Sequence, residues 1–315
     1  MSSHDDRRGG QLDRLSPDIA RMLPQVPDYR PGSVHVARAL MAEAMGESLP
    51  EPSEITWAES SSGRVEIRIH RPAGQPSGGA ILFIHGGGFV MGSAALYDGV
   101  SSELAALTGC TVLTVDYRLA PEHPFPAGLD DCEVAWRHIV SQCDDLGIDR
   151  ARMGVYGESA GAALAIGLAH RLSFSPAELP ALIVLQEPVT DDRLDHKSSR
   201  IFTDTPVWNR ALADWSWDLY LGVYRSSPPK ESAPARILDF RGFPRTFIST
   251  RDLDPLRDEG MAFARRLIDD GVAVDLRHYA GTIHGTLGFT GVRVRERILR
   301  DAAEFVIEHL AEAPK

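Results

Sequence analysis

The 315-residue sequence predicts an α/β protein, a mostly parallel sheet flanked by helices on both faces, with helical segments left over that the alternation does not use. Short continuous apolar runs recur at 65–70, 80–84, 111–115, 153–156, 181–185, 246–249 and 272–278. Strands covered on both faces read as such runs, not as alternating ones. Helical periodicity fills most of the intervals between them. Strands alternating with helices build a parallel sheet with helices packed on it.

The chain opens on a polar stretch through residue 14, with Asp5, Asp6, Arg7 and Arg8 and no apolar run behind them. That does not read as a secretory signal, and a cytoplasmic address is expected. Residues 16–49 look helical at 19–23 and 34–45 and stand outside the alternation. The helices that belong to it are expected at 94–108, 128–142, 160–172, 257–270 and 292–311, the last long and amphipathic. A second extra segment, 191–224, carries Trp208, Trp215, Trp217, Tyr220 and Tyr224, with Trp208, Leu212 and Trp215 spaced for one helix face. It reads either as a lid touching a ligand or as an aromatic face packed on the body. Residues 226–235, with Pro228, Pro229 and Pro234, form a loop, since strand-like sequence soon resumes. The tail 312–315 is expected to fray.

With 43% hydrophobic and 24% charged residues the chain can bury a large core, and the motifs below favour one catalytic domain. A formal net charge of -11 argues against a nucleic-acid partner, which needs clustered Lys and Arg. No run approaches the ~18 apolar residues of a membrane span. Cys110, Cys132 and Cys143 are an odd set without a C-x-x-C pair. They read as reduced packing thiols, since a reactive one would need an activating neighbour.

Two glycine-rich stretches carry the chemistry. Gly157-Glu158-Ser159-Ala160-Gly161 fits the turn that lifts a nucleophilic serine out of a sheet, and His85-Gly86-Gly87-Gly88-Phe89 fits a loop whose amides receive an oxyanion. Backbone N–H groups must approach the oxyanion closely, which a Cβ would obstruct. A glycine run alone often just makes a turn; the pairing is what speaks for catalysis. Ala160, opening the next helix, adds a further N–H where the helix dipole favours negative charge.

A serine needs a base and an acid behind it, in the chain order Ser, acid, His. Downstream of Ser159 lie His196, His278, His284 and His309, besides His170 inside the following helix. His284 is best placed, in the turn-rich Ala280-Gly281-Thr282-Ile283-His284-Gly285 after a strand. For the acid, Asp254 precedes Pro255 at a loop-helix junction, with Asp252 and Asp258 as alternatives. Asp254 could instead merely cap that helix. No H-E-x-x-H, Rossmann or Walker pattern occurs, so neither metal nor cofactor is expected.

The chain resembles the bacterial branch of the hormone-sensitive lipase family of α/β-hydrolases. The resemblance rests on the two glycine motifs, on Asp116-Tyr117-Arg118-Leu119-Ala120-Pro121-Glu122-His123-Pro124-Phe125-Pro126-Ala127, on Asp254-Pro255-Leu256-Arg257-Asp258-Glu259-Gly260 and on His284-Gly285. It implies an eight-stranded twisted sheet with a helical cap. The cap would comprise 1–50 and 191–224, and the catalytic domain 51–190 and 225–315. It implies Ser159 as nucleophile, Asp254 as acid and His284 as base. Gly87, Gly88 and Ala160 would be oxyanion donors, supported by Gly86 and a structural His85. It also implies cis peptides at Ala120-Pro121 and Phe125-Pro126. Two positions depart from the pattern: Ala162 stands where a glycine is frequent, and Thr286 where an aromatic is usual, with Phe289 arriving later.

The expected activity is that of a serine carboxylesterase on short- to medium-chain acyl esters of small alcohols, with Phe89, Trp208 and Leu287 in the substrate pocket. The expected partner is a small-molecule ester, and a homodimer is compatible with the sequence. An amidase or deacetylase would use the same triad, and a non-catalytic receptor could use the same scaffold, because fold alone does not prove function.

Overall fold

All seven apolar runs become strands, and an eighth strand precedes them. The computed structural model describes residues 12–46, 50–74 and 76–310. Most of the polar opening stretch, residues 47–49 of the first extra segment and the tail expected to fray lie outside the described residues. The strands are β1 (Glu54–Ser60), β2 (Gly63–His70), β3 (Ala80–Ile84), β4 (Thr111–Asp116), β5 (Met153–Glu158), β6 (Leu182–Gln186), β7 (Arg245–Leu253) and β8 (Val274–Ile283). They form one sheet in the order β1-β2-β4-β3-β5-β6-β7-β8. β2 runs antiparallel to β1 and β4, and every other neighbouring pair is parallel.

β1 escaped the sequence reading because only Ala58 in it is buried, so an outer strand leaves no apolar run to find. β7 runs past the expected Ser249 to Leu253, and β8 begins and ends later than expected. His284 therefore stands immediately at the end of a strand.

The α-helices of six residues or more are α1 (Pro17–Met22), α2 (Val34–Met45), α3 (Asp98–Thr108), α4 (Ala127–Ser141), α5 (Ala160–Leu172), α6 (Arg210–Leu221), α7 (Arg257–Asp269) and α8 (Arg293–Leu310). Side chains along a strand alternate between faces, and β3 shows what each face meets. Ile81 and Phe83 join a core with Leu104 of α3 and Ile298, Leu299 and Phe305 of α8. Leu82 and Ile84 join the other, with Leu129 and Trp136 of α4, Leu164 of α5 and Phe263 of α7.

Where the sequence predicted one helix over 94–108, a short 3-10 turn (Ala94–Tyr97) leads into α3. Trp208 and Trp215 do not share a helix face. α6 starts only at Arg210, because the Asn209 side chain accepts the Leu212 amide at 3.1 Å and caps it. Trp208 is thereby left in the preceding loop, free to face elsewhere. Among the described residues, no helix is long and apolar enough to cross a membrane.

Candidate active site

Four connections meet at the carboxyl edge of the sheet, where open parallel sheets gather their functional groups. They are the glycine loop after β3, the turn between β5 and α5, the loop after β7, and the turn after β8. Ser159 occupies the single position between β5 and α5, with φ 54° and ψ -115°, a backbone that residues with a Cβ rarely adopt. The turn closes tightly enough to demand glycine on both sides. A Cβ added to Gly157 would lie 2.4 Å from the Gly161 oxygen, and one on Gly161 would lie 2.0 Å from the Ile84 oxygen. Since both obstacles are backbone, Gly161→Ala is expected to destabilise the fold by about 3 kcal/mol or more, the upper range for overpacking. Thermal unfolding reads this directly; an unchanged midpoint would mean the contact between β3 and α5 can yield.

The structure brings Ser159, His284 and Asp254 into one hydrogen-bonded chain. Ser159 Oγ is 2.9 Å from His284 Nε2, and His284 Nδ1 is 2.9 Å from Asp254 Oδ2. The other Asp254 oxygen accepts the Leu256 amide at 2.8 Å, which fixes the carboxylate. All three side chains are buried, Asp254 completely. With its Nδ1 proton directed at Asp254, the imidazole presents a free Nε2 lone pair to the hydroxyl.

The alternatives are engaged elsewhere. His278 meets Thr250, His196 pairs with Asp191, and His309 sits beside Arg245 on α8. Asp252 pairs with Arg14 at 2.5 Å and accepts the Gly281 amide. Asp258 pairs with Arg257 and accepts the Ser198 amide.

The glycine loop lies directly against the serine: a Cβ on Gly86 would sit 3.4 Å from Ser159 Cβ. Gly87 and Gly88 have φ of 118° and 60°. A Cβ on Gly87 would meet the Met91 oxygen at 2.2 Å, and one on Gly88 would meet the Trp208 ring at 2.5 Å. His85 beneath them is buried and stacks on Tyr117, ring centroids 4.2 Å apart, while its carbonyl accepts the Tyr117 hydroxyl. Ala160 opens α5, where an amide has no intrahelical acceptor and the dipole is positive.

A cavity of about 270 Å³ opens onto Ser159 and His284, walled by Met41 and Met45 of α2 and by Trp208, Leu287 and Phe289. Trp208 approaches the imidazole, ring centroids 5.7 Å apart. Phe89, expected here, is not part of the wall. Its ring stacks on Tyr220 of α6 at 3.8 Å and packs against Trp217, because a φ of 64° turns it toward the aromatic segment. Thr286 points inward, donating to the Ile283 carbonyl, and Phe289 supplies the ring that its position lacks.

Burial lowers the His284 pKa, but the carboxylates of Asp254, Glu187 and Glu158 outweigh it and push the value up to about 9. Glu158 is itself pushed up to about 8 by burial, reinforced by Glu187. Glu187, Asp254 and His284 offer polar atoms within 4.8 Å of one another. These atoms are already committed: Glu187 to the Gly285 amide and to Arg251, Asp254 to Leu256 and His284, His284 to Ser159.

A profile of the family described as the alpha/beta hydrolase fold matches residues 81–288. The chain belongs to that family. It is 33% identical over 301 residues to an ethyl acetate hydrolase of Pseudomonas putida, covering 86% of this chain and 91% of the relative. It is 32% identical over 289 residues to carboxylesterase NlhH of Mycobacterium tuberculosis, covering 87% and 90%. Among solved structures, a bacterial heroin esterase superposes with a TM-score of 0.88 at 34% identity, covering 96% of this chain and all of the other.

Within this α/β-hydrolase, both Ala120-Pro121 and Phe125-Pro126 are cis, as the resemblance implied. The sequence reading missed Glu158, Glu187 and Arg251. A charged residue directly after an apolar strand, as in Gln186-Glu187-Pro188, is the signal that could have found the second of these.

Proposed function

We propose that the chain is a serine carboxylesterase that hydrolyses short- to medium-chain acyl esters of small alcohols through an acyl-enzyme, with Ser159 as nucleophile, His284 as base and Asp254 as its orienting acid. The observation that carries this reading is the Ser159–His284–Asp254 chain, 2.9 Å at each link, opening onto an apolar cavity beside the glycine loop. The names of two relatives, an ethyl acetate hydrolase and a carboxylesterase, support the substrate class. Segments 16–49 and 191–224 act as the cap, since Met41, Met45 and Trp208 from them wall the cavity. Three unpaired cysteines, all buried, support a reducing, cytoplasmic address.

The ester carbonyl carbon is attacked by Ser159 Oγ as His284 Nε2 takes the hydroxyl proton. Charge developing on the carbonyl oxygen is received by the amides of Gly87, Gly88 and Ala160. The imidazolium, stabilised by Asp254, then protonates the leaving alcohol. Water enters along the same path, gives its proton to His284, and releases the acid.

A fluorophosphonate probe is expected to label Ser159 stoichiometrically, located by peptide mass. A graded ester panel is expected to give the highest kcat/KM at short to medium acyl chains. Absence of both label and ester turnover would overturn the reading.

Activity requires neutral His284, so kcat/KM should fall as pH drops through the imidazole's value in the free enzyme. That value is raised, so the acidic limb should lie above the ordinary histidine value of about 6.5. A profile that stays level well below 6.5 would remove His284 from the role.

A further inference from the structure

Two buried charged residues that the proposed chemistry leaves unused, Glu187 and Arg251, lie beside the histidine. Glu187 follows β6 and Arg251 sits on β7, with exposures of 1% and 0%. Arg251 Nε stands 2.8 Å from Glu187 Oε2. The remaining guanidinium nitrogens donate to Ser249 Oγ at 2.8 Å and Gln186 Oε1 at 3.1 Å, and the group lies over the Tyr279 ring. The other glutamate oxygen, Oε1, accepts the Gly285 amide at 2.7 Å. Gly285 is the residue after His284 and has a left-handed φ of 73°.

A buried ion pair is an expensive way to fill a core, since apolar residues of similar volume often serve stability as well or better. The connections of this pair supply a role other than stability. Arg251 faces Glu187 as an ion pair without hydrogen-bond alignment, Glu187 holds Gly285, and Gly285 forms the turn that presents His284. Glu187 itself has a φ of 42°, a conformation that a non-glycine residue keeps only where its surroundings hold it.

We propose that Glu187 is a positioning residue for His284, gripping Gly285 through a charge-assisted hydrogen bond and setting a second carboxylate beside the imidazole. The proposal rests on His284 being the base. The imidazole is faced by Asp254 after β7, Glu187 after β6 and Glu158 ending β5. Arg251 lies behind Glu187, while Arg295 of α8 acts further out, on Glu158. Asp254 orients the ring; Glu187 orients the turn that carries it and adds to the field that favours the imidazolium.

Two conservative variants separate grip from charge. Glu187→Gln keeps an acceptor for Gly285 and removes the charge. It should move the acidic limb of kcat/KM down by about one pH unit, the low end for a charge at 4–6 Å because Arg251 offsets part of it, with KM unchanged. Glu187→Asp keeps the charge and draws the acceptor back from Gly285. It should cut kcat by about tenfold to a hundredfold with little change in KM, as small displacements of a catalytic group do. The paired variant Glu187→Gln with Arg251→Met leaves no buried charge unmatched, so the pH measurement survives if the single variant folds poorly; its limb should also move down. A wild-type limb in both charge-removing variants, or a wild-type kcat in Glu187→Asp, overturns the proposal. If Ser159→Ala is meanwhile inactive, only this proposal falls; turnover that survives Ser159→Ala sinks the reading beneath it.

Discussion

Ser159→Ala is expected to lower kcat on a chromogenic short-chain ester by about five orders of magnitude or more, with thermal unfolding close to wild type. The magnitude is that seen when a triad nucleophile is deleted, and it corresponds to about 7 kcal/mol of lost transition-state stabilisation. The fold should be indifferent for a specific reason. The strained backbone at 159 already carries a Cβ, so alanine adds no new conflict at φ 54°. Among the described residues the hydroxyl's side-chain partner is His284, at the mouth of a cavity and not in a packed core. Glycine-loop amides remain, so a residual rate above uncatalysed hydrolysis is expected. Retention of more than about a hundredth of kcat would exclude Ser159 as nucleophile, because deleting the nucleophile abolishes the covalent step and leaves only the small residual catalysis of the other groups.

Placement that depends on local turns was legible in the sequence; placement that depends on sheet order was not. Ser159, the glycine loop and His284 each sit in a short motif whose residues dictate their own backbone, such as the glycines at 157 and 161 that the turn cannot do without. Helices bounded by a cap or a tight turn came through with their limits intact: α2 lies between Ser33 and Gly46, and α5 follows Ser159. β1 did not, because an outer strand with one buried residue has nothing to distinguish it from a loop. Glu187 lies 98 residues from Gly285, and the two meet only because β6, β7 and β8 are successive neighbours in the sheet. Arg251 was hidden for a related reason: with the strand expected to end at Ser249, it fell in the loop that follows, whereas β7 runs on to Leu253. Phe89 was misplaced because a motif position gives no hint of a φ of 64°, which aims its ring at Tyr220 and away from the cavity.

Asp254→Asn is expected to lower kcat by about four orders of magnitude, whereas Asp252→Asn should leave it within a few-fold of wild type. Asparagine at 254 fits the same space, and its carbonyl can still accept the Leu256 amide that anchors the side chain. What changes is the group facing His284 Nδ1 at 2.9 Å. If the amide nitrogen turns that way, it donates where a proton already sits, which selects the tautomer with Nε2 protonated. Such an imidazole cannot accept from Ser159, so an intact geometry coexists with the wrong protonation state. The loss should therefore appear in kcat and not in KM or in thermal unfolding. Asp252 sits two residues away but answers to Arg14, itself mostly exposed, and to the Gly281 amide, so its charge orients the amino-terminal segment and not the imidazole. The paired measurement decides between the two acids, and a larger kcat loss at 252 than at 254 would reverse the assignment. Asp254→Asn also removes one of the carboxylates that raise the His284 pKa, so whatever activity remains should have its acidic limb at lower pH. A kcat loss without that movement would mean that Asp254 serves only as the anchor of the loop after β7.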